Sequence, residues 1–560
     1  MPNGSNELGD AIEGPVVDRR TTLSLLTAAG LGGLAGCAGG GGGDGGDGGD
    51  GSQGNGSSDG SSGAQEIPTG GRLQAGWFTG SIDTLDPPYI SVGQYFQLAA
   101  NVFSGLTKLG PDLQIEGDLA EDWSVADDGA TFTFTLRDDV TFHNGAEFSA
   151  DDVEYTIRRT IEEEAPAASK LSSLQPIDEG GVEVGGDYEV TIRWEEPNVT
   201  SLVYLTRGPG RAATIVSQDA IEEMGADQYN VTPVGTGPFE VTSHEVGNSV
   251  TLDAYDDYFE TDDNGNPLPY LDGVDIQPIP EPSSIVNALR SGDIQFANLL
   301  PLQNLNQLEN DSAANTDVAP GINWYGLAMN EEREPFGNRQ ARRGIAKVID
   351  NERFVETAYF GNALPDTGVI NRGTGWVWRE DKPDDQNYAP EEGQQLLEES
   401  GAAGASFSIL ANEGGTREAE AMRQQLNEAG FDVDIEQVTS STYWTRYEEG
   451  DYDTTIAGSI IDPDPEQSLW NFYRLPDEGG VWNWVRYENE DIHDLLAEQR
   501  AETNREARRD LLWEIEDTLI SDVPHAYLVH QDDIAGVREE VGGFDHLSGL
   551  RNFHTMYLDE

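Results

Sequence analysis

At 560 residues the chain exceeds the roughly 250 to 300 residues that one hydrophobic core can organise, so at least two lobes are expected. Its 37% hydrophobic and 9% aromatic content excludes a disordered polymer, and 103 acidic against 32 basic residues, a net charge of -71, excludes nucleic acid as a partner, because such a surface repels phosphates. The single cysteine, Cys37, excludes an internal disulfide and a multi-thiolate metal site.

Charge of this size repels itself in dilute salt, whereas at about 1 M salt the screening length falls to roughly 3 Å. The chain therefore reads as built for brine, and its cations are nearly all arginine, with lysine only at Lys108, Lys170, Lys347 and Lys382, as in halophilic proteins. At the amino terminus, Arg19-Arg20 precedes an uncharged stretch from Thr21 to Gly43 whose apolar part ends at Leu34-Ala35-Gly36-Cys37. This is similar to a twin-arginine export signal closing in a lipobox, so residues 1–36 are expected to be removed and Cys37 to carry a lipid that holds the chain to the membrane. The apolar part, about 15 residues, is short of the roughly 20 needed to span a bilayer. Residues 37–70 are rich in Gly, Asp and Ser and read as a flexible tether.

Beyond the tether, Arg72 to Phe78 reads as an extended segment stopped by Asp83-Thr84-Leu85-Asp86-Pro87-Pro88. Alternation from Thr131 to Leu136 places Phe132, Phe134 and Leu136 on one face of a strand, with turn chemistry at Asp128-Gly129. Ser149 caps a helix whose first turn holds Asp151 and Asp152, favourable at the positive end of its dipole. One helix is expected over Asn338 to Tyr359, others over Glu391 to Leu397 and Arg417 to Ala429, with strands at Phe407 to Leu410 and Phe431 to Ile435. Helices alternating with short strands indicate α/β lobes.

Several blocks arrive in a fixed order: Leu119-Ala120-Glu121-Asp122-Trp123, Asp128-Gly129, Phe132 to Arg137, Val140-Thr141-Phe142-His143-Asn144-Gly145 and Ala150-Asp151-Asp152-Val153. Pro233 to Phe239, Leu271 to Val274, Ala288 to Ile294, Asn330 with Pro335-Phe336, Arg339 to Ile345 and Asp522-Val523-Pro524 continue the pattern. Together they closely resemble extracellular solute-binding protein family 5, the dipeptide, oligopeptide and nickel-binding components of ABC importers. The resemblance implies an α/β, two-lobed, type II periplasmic-binding-protein-like fold with a ligand cleft between the lobes. It implies a first lobe of residues 71–322 and 530–560 and a second of residues 323–529, a non-enzymatic monomer at the outer face of the cytoplasmic membrane, and delivery of the ligand to a permease. No phosphate-loop motif is present, so the ATPase subunit must be another polypeptide.

Peptide-binding members hold the ligand's α-ammonium with an aspartate beyond a Gly-aromatic pair. Counting from Asp453 through Ala457-Gly458 puts Asp462 there, although Ser459 replaces the aromatic and Asp462-Pro463-Asp464-Pro465 equally suits a plain turn. Trp444, Trp470, Trp482 and Trp484 cluster nearby. Trp444, Trp482 with Asn483, and from the first lobe Trp77 and Tyr89, are the further candidate ligand contacts. The tryptophans leave an oligosaccharide open as an alternative ligand, and a lipid-anchored hydrolase is the rival of another class. Against that rival, the seven histidines lack zinc-protease spacing, Gly235-Thr236-Gly237 runs into Pro238 rather than a phosphate cradle, and among 103 acids a carboxylate pair means little. No cofactor or metal is expected. His143 reads as structural, and Asn55, Asn198, Asn230 and Asn310 begin glycosylation sequons.

Overall fold

A computed structural model describes residues 67–110, 113–208, 212–308, 311–459, 463–475, 480–547 and 549–559. The export signal, Cys37 and most of the tether lie outside the described residues. Two sheets organise the body. The first has seven strands in the order Ala314–Ala319, Asp533–Arg538, Phe296–Ala297, Arg72–Trp77, Gly273–Pro278, Ser249–Ala254 and Phe239–Glu245. The second has six, in the order Leu364–Pro365, His525–His530, Trp324–Met329, Thr454–Ser459, Ser406–Ala411 and Asp432–Gln437. A four-stranded antiparallel sheet, Ala120–Val125, Thr131–Leu136, Glu189–Arg193 and Val182–Gly186, is an annex to the first.

Patterning explains these elements. Strand Thr131–Leu136 buries Phe132, Phe134 and Leu136 as the alternation requires, packing them with Val190, Ile192 and the inward face of helix Ala150–Glu162. That helix opens on a capping box between Ser149 and Asp152, with Ser149 N–H donating to Asp152 at 3.0 Å. His143 is a structural pin: its Nε2 donates to the Gly237 carbonyl at 3.0 Å, and Gly235 N–H donates to its Nδ1 at 3.3 Å, fixing the turn that begins at Pro233.

The helix expected over Asn338 to Tyr359 is two helices, Arg339–Val348 and Asn351–Ala358. Ile349 is extended, Asp350 accepts from Arg353 N–H at 3.0 Å as an N-cap, and its own N–H is taken by Gln425 at 2.8 Å. A shared apolar stripe concealed the break, since both helices bury the same side against the second sheet. The other elements fall at Pro390–Ser400, Ser406–Ala411, Thr416–Glu428 and Asp432–Gln437, within a residue or three of expectation. Among the described residues no helix is long and apolar enough to cross a membrane.

Candidate ligand cleft

The chain passes from the first sheet to the second between Ala319 and Trp324, and returns between His530 and Asp533. These crossings lie side by side. Asn323 donates from Nδ2 to the Gln531 carbonyl at 2.9 Å and accepts from Gln531 N–H at 2.8 Å, a reciprocal clamp. Gly321 permits the approach, since a Cβ there would stand 1.6 Å from the Gln531 carbonyl oxygen. Arg372 braces the second crossing with an ion pair to Asp532 at 2.6 Å.

Strand direction says where a ligand fits. Arg72–Trp77 runs parallel to Phe296–Ala297, and both point their carboxyl ends at the crossings, because Phe296–Ala297 is antiparallel to Asp533–Arg538. In the second sheet Thr454–Ser459 is antiparallel to Trp324–Met329, with Ser459 opposite Trp324, and Ser406–Ala411 runs parallel to it. Both lobes thus present the carboxyl ends of parallel strands to one junction, the place where open α/β sheets take their ligands. Gly458 allows the close fit there, as a Cβ would meet the Trp324 carbonyl oxygen at 1.8 Å.

Across the junction from the crossings, the lobes touch again through Glu466, which is wholly buried in the first turn of helix Pro465–Tyr473. Its Oε2 accepts from Tyr204 Oη at 3.0 Å and lies 3.1 Å from Thr200 Oγ1, whose one proton it shares with Asn198 Oδ1 at 2.6 Å, both hydroxyls being on the first lobe. Its Oε1 accepts from Arg500 Nε at 2.8 Å within the second lobe. Val199 N–H donates to the Arg500 carbonyl at 3.0 Å, and Lys170 Nζ to Gln467 at 2.8 Å. Burial and the facing carboxylate push the Tyr204 phenol well above its ordinary pKa, so it stays a donor. Asp464 caps the same helix and takes both arms of Arg508, at 2.8 and 2.6 Å. Asn198, the head of one sequon, is enclosed here, its Oδ1 accepting from Thr200 N–H at 3.0 Å, which leaves no room for a glycan in this arrangement.

Asp462 lies outside the described residues, between the end of strand Thr454–Ser459 and the Asp464 cap. Trp444 is half-buried on helix Ser440–Glu449, with Tyr443 edge-on at 5.0 Å and Trp484 at 6.0 Å. Trp482 is half-buried with its ring against Phe472 at 5.6 Å. Asn483 is buried and binds its own turn, donating to the Tyr487 carbonyl at 2.6 Å and accepting from Tyr487 N–H at 3.0 Å. Trp77 reaches no solvent, and its Nε1 donates to the Gln94 carbonyl at 3.1 Å inside the first-lobe core. Tyr89 is half-buried, bonded to Glu163 and covered by Arg159 at 5.4 Å from its ring centre. Trp470 has Arg500 and Arg474 over its ring at 3.3 and 4.4 Å. Glu466, Tyr204 and Thr200 went unnoticed in the sequence. The Asp-Pro-Glu triplet was visible, but which first-lobe hydroxyls meet it depends on tertiary placement.

Comparison with known proteins agrees with this geometry. A family model for bacterial extracellular solute-binding proteins, family 5 Middle, matches residues 114–480. The probable D,D-dipeptide-binding periplasmic protein DdpA of Escherichia coli is 25% identical over 79% of this chain and 85% of its own length. The oligopeptide-binding protein AppA of Bacillus subtilis is 24% identical over 80% and 83%. Among solved structures, the ABC transporter-associated periplasmic binding protein DppA of Helicobacter pylori in complex with the peptide STSA superposes with a TM-score of 0.73 at 23% identity, covering 88% of this chain and 99% of that one. AppA in complex with a nonapeptide gives 0.70 at 22% identity, covering 88% and 100%.

Proposed function

Because the chain belongs to the bacterial extracellular solute-binding proteins of family 5, we propose that it captures a peptide outside the cell by closing two lobes upon it, and delivers it to the membrane permease of an ABC importer. The family is one of binding components and not of enzymes. The observation that carries the reading is the junction itself: two sheets, joined by two clamped crossings, each turn the carboxyl ends of parallel strands toward the other. In this proposal residues 71–322 with 530–560 and residues 323–529 are the moving bodies, and the segments around Asn323 and Gln531 are the hinge. A lipid on Cys37, with residues 37–70 as tether, would retain the protein at the outer face of the membrane.

Peptide is favoured as the ligand by the names of the relatives, which are dipeptide- and oligopeptide-binding proteins. The aromatic rings support it too. Trp470 and Trp376 are each covered by guanidinium groups, Trp376 by Arg505 and Arg508 at 4.9 and 5.4 Å, so neither offers a sugar that free face. Asp462 is the proposed partner of the peptide ammonium, a pairing in which each charge offsets the other's desolvation. Trp444, Trp482 and Tyr89 are proposed to border the ligand, with Trp77 and Asn483 supporting them from behind.

Mass spectrometry of small molecules retained through purification in high salt tests the ligand class: peptides are expected, and a saccharide would overturn the assignment. Calorimetry on Asp462→Ala should show binding of the retained peptide weakened by about 2–5 kcal/mol, the cost of unpairing a buried charge. Unchanged affinity would return Asp462 to the role of a turn residue.

A further inference from the structure

We infer that Glu466, Tyr204 and Thr200 form a latch that sets how long the closed protein holds its ligand, acting at the rim of the cleft without touching the ligand. This rests on the reading of the chain as a two-lobed binding protein, and it adds residues that ligand contact alone would not reveal.

The geometry separates a permanent half from a separable half. Glu466 and Arg500 both belong to the second lobe, and they pair through Oε1 whatever the lobes do. Tyr204 and Thr200 belong to the first lobe. They lie in and just before helix Ser201–Tyr204, which Thr107 anchors by donating from Oγ1 to the Leu202 carbonyl at 2.8 Å. Opening therefore breaks, among the contacts of the described residues, the two bonds to Oε2, the Val199 to Arg500 backbone bond and the Lys170 to Gln467 contact. What is broken is also what is buried, with Glu466 at 0%, Thr200 at 2% and Tyr204 at 7% exposure.

A carboxylate already neutralised by Arg500 is a sound acceptor to leave exposed in the open state, since it remains paired and hydratable. Bonds to a charged acceptor in a site without water exceed ordinary ones. The site also suits the composition. Two acidic lobes repel one another on approach, and dissolved salt screens their surfaces but does not enter the enclosed Glu466 contact. Closure in brine thus gains from bonds that brine cannot weaken. The helix that carries the latch is held at its first turn by Arg508 on Asp464, so force on Glu466 passes to the second lobe as a rigid body.

The test uses the full chain in molar salt, with Tyr204→Phe, Thr200→Val and the double variant. Small-angle scattering reads the open and closed populations without added ligand, and stopped flow reads dissociation of peptides from a casein digest. Each single variant should raise the dissociation rate severalfold, and the double variant more than tenfold, with a larger radius of gyration. Thr200→Ser, which keeps the donor, should restore the wild-type rate. Scattering and dissociation both unchanged in the double variant would overturn the latch. If the wild type binds no peptide at all, the proposed ligand class falls while the scattering comparison still decides the latch. Should the double variant unfold, the contrast of Thr200→Ser with Thr200→Val decides it alone, and equal rates in those two would overturn it.

Discussion

Two places where the lobes meet among the described residues are built differently. At the crossings, contact is with main chain: the Asn323 side-chain amide exchanges two hydrogen bonds with the Gln531 backbone, and Gly321 and Gly458 are glycine because backbone oxygens occupy the space of a side chain. At the far rim, contact centres on side chains, two hydroxyls facing one buried carboxylate, beside the backbone bond from Val199 N–H to the Arg500 carbonyl. The first is covalently tethered and must survive every state, whereas the second can form and break without disturbing either fold. Substitutions at the crossings should therefore alter stability, and those at the rim should alter ligand residence.

The largest effect is expected at Gly321. A methyl group there meets the Gln531 carbonyl oxygen at 1.6 Å, so Gly321→Ala must push the crossings apart, at a cost of about 3 kcal/mol read as a lowered denaturant midpoint. A variant as stable as wild type would mean that the crossings are not in contact, and the comparison would lose its first term. Acid should act on the same side of the molecule. His525 stands on the strand beside Trp324–Met329, wholly buried, and burial depresses its pKa to about 3. Because the unfolded side chain binds a proton near pH 6.5, the stability it lends is complete above that value and is lost as pH falls toward 3, at up to about 1.4 kcal/mol per unit. Thermal unfolding between pH 7 and 4 should show that limb, flattened in His525→Phe, and an identical limb in the variant would assign the acid loss elsewhere.

Asn323→Ala comes next. It removes both bonds of the clamp, about 2 kcal/mol together, and lowers the melting temperature of free and liganded protein alike. Its ligand dissociation rate should stay near that of wild type, the opposite of Tyr204→Phe. A variant that sped dissociation with no change in melting temperature would show that the crossings and the rim do not divide the work as drawn here.

Legibility in the sequence follows the same division. Strand Thr131–Leu136, its cap-and-turn neighbours and the alternating helices of the second lobe could be read because local patterning and local packing agree. The interruption at Ile349-Asp350 could not be read, because Gln425, far along the chain, takes the Asp350 N–H. The order of blocks pointed to the two-lobed fold, and the glycines Gly321 and Gly458 were visible as letters but not as close approaches. Of the aromatic candidates, half-burial or full burial in lobe cores was beyond composition: Trp77 has a bonding partner, the Gln94 carbonyl, that only the folded structure names. Glu466 was one acid among 103, and nothing local distinguishes a carboxylate that will meet two hydroxyls more than 260 positions away.

The smallest expected effect lies at the edge of the rim. Lys170 Nζ donates to Gln467 and stands 5.3 Å from the centre of the Tyr204 ring, so it crosses the same junction as the latch. It is partly exposed, however, and in molar salt the attraction of an ammonium that solvent reaches is largely screened. Lys170→Met keeps the apolar stem against Tyr204 and removes the charge together with its hydrogen bond to Gln467, and peptide dissociation should change by less than about twofold, roughly 0.4 kcal/mol. If Lys170→Met instead matched Tyr204→Phe, the rim would hold by accumulated surface attraction, and the enclosed carboxylate would lose its special place. If the two variants differ as expected, residence time is set by the part of the contact that water and salt do not reach.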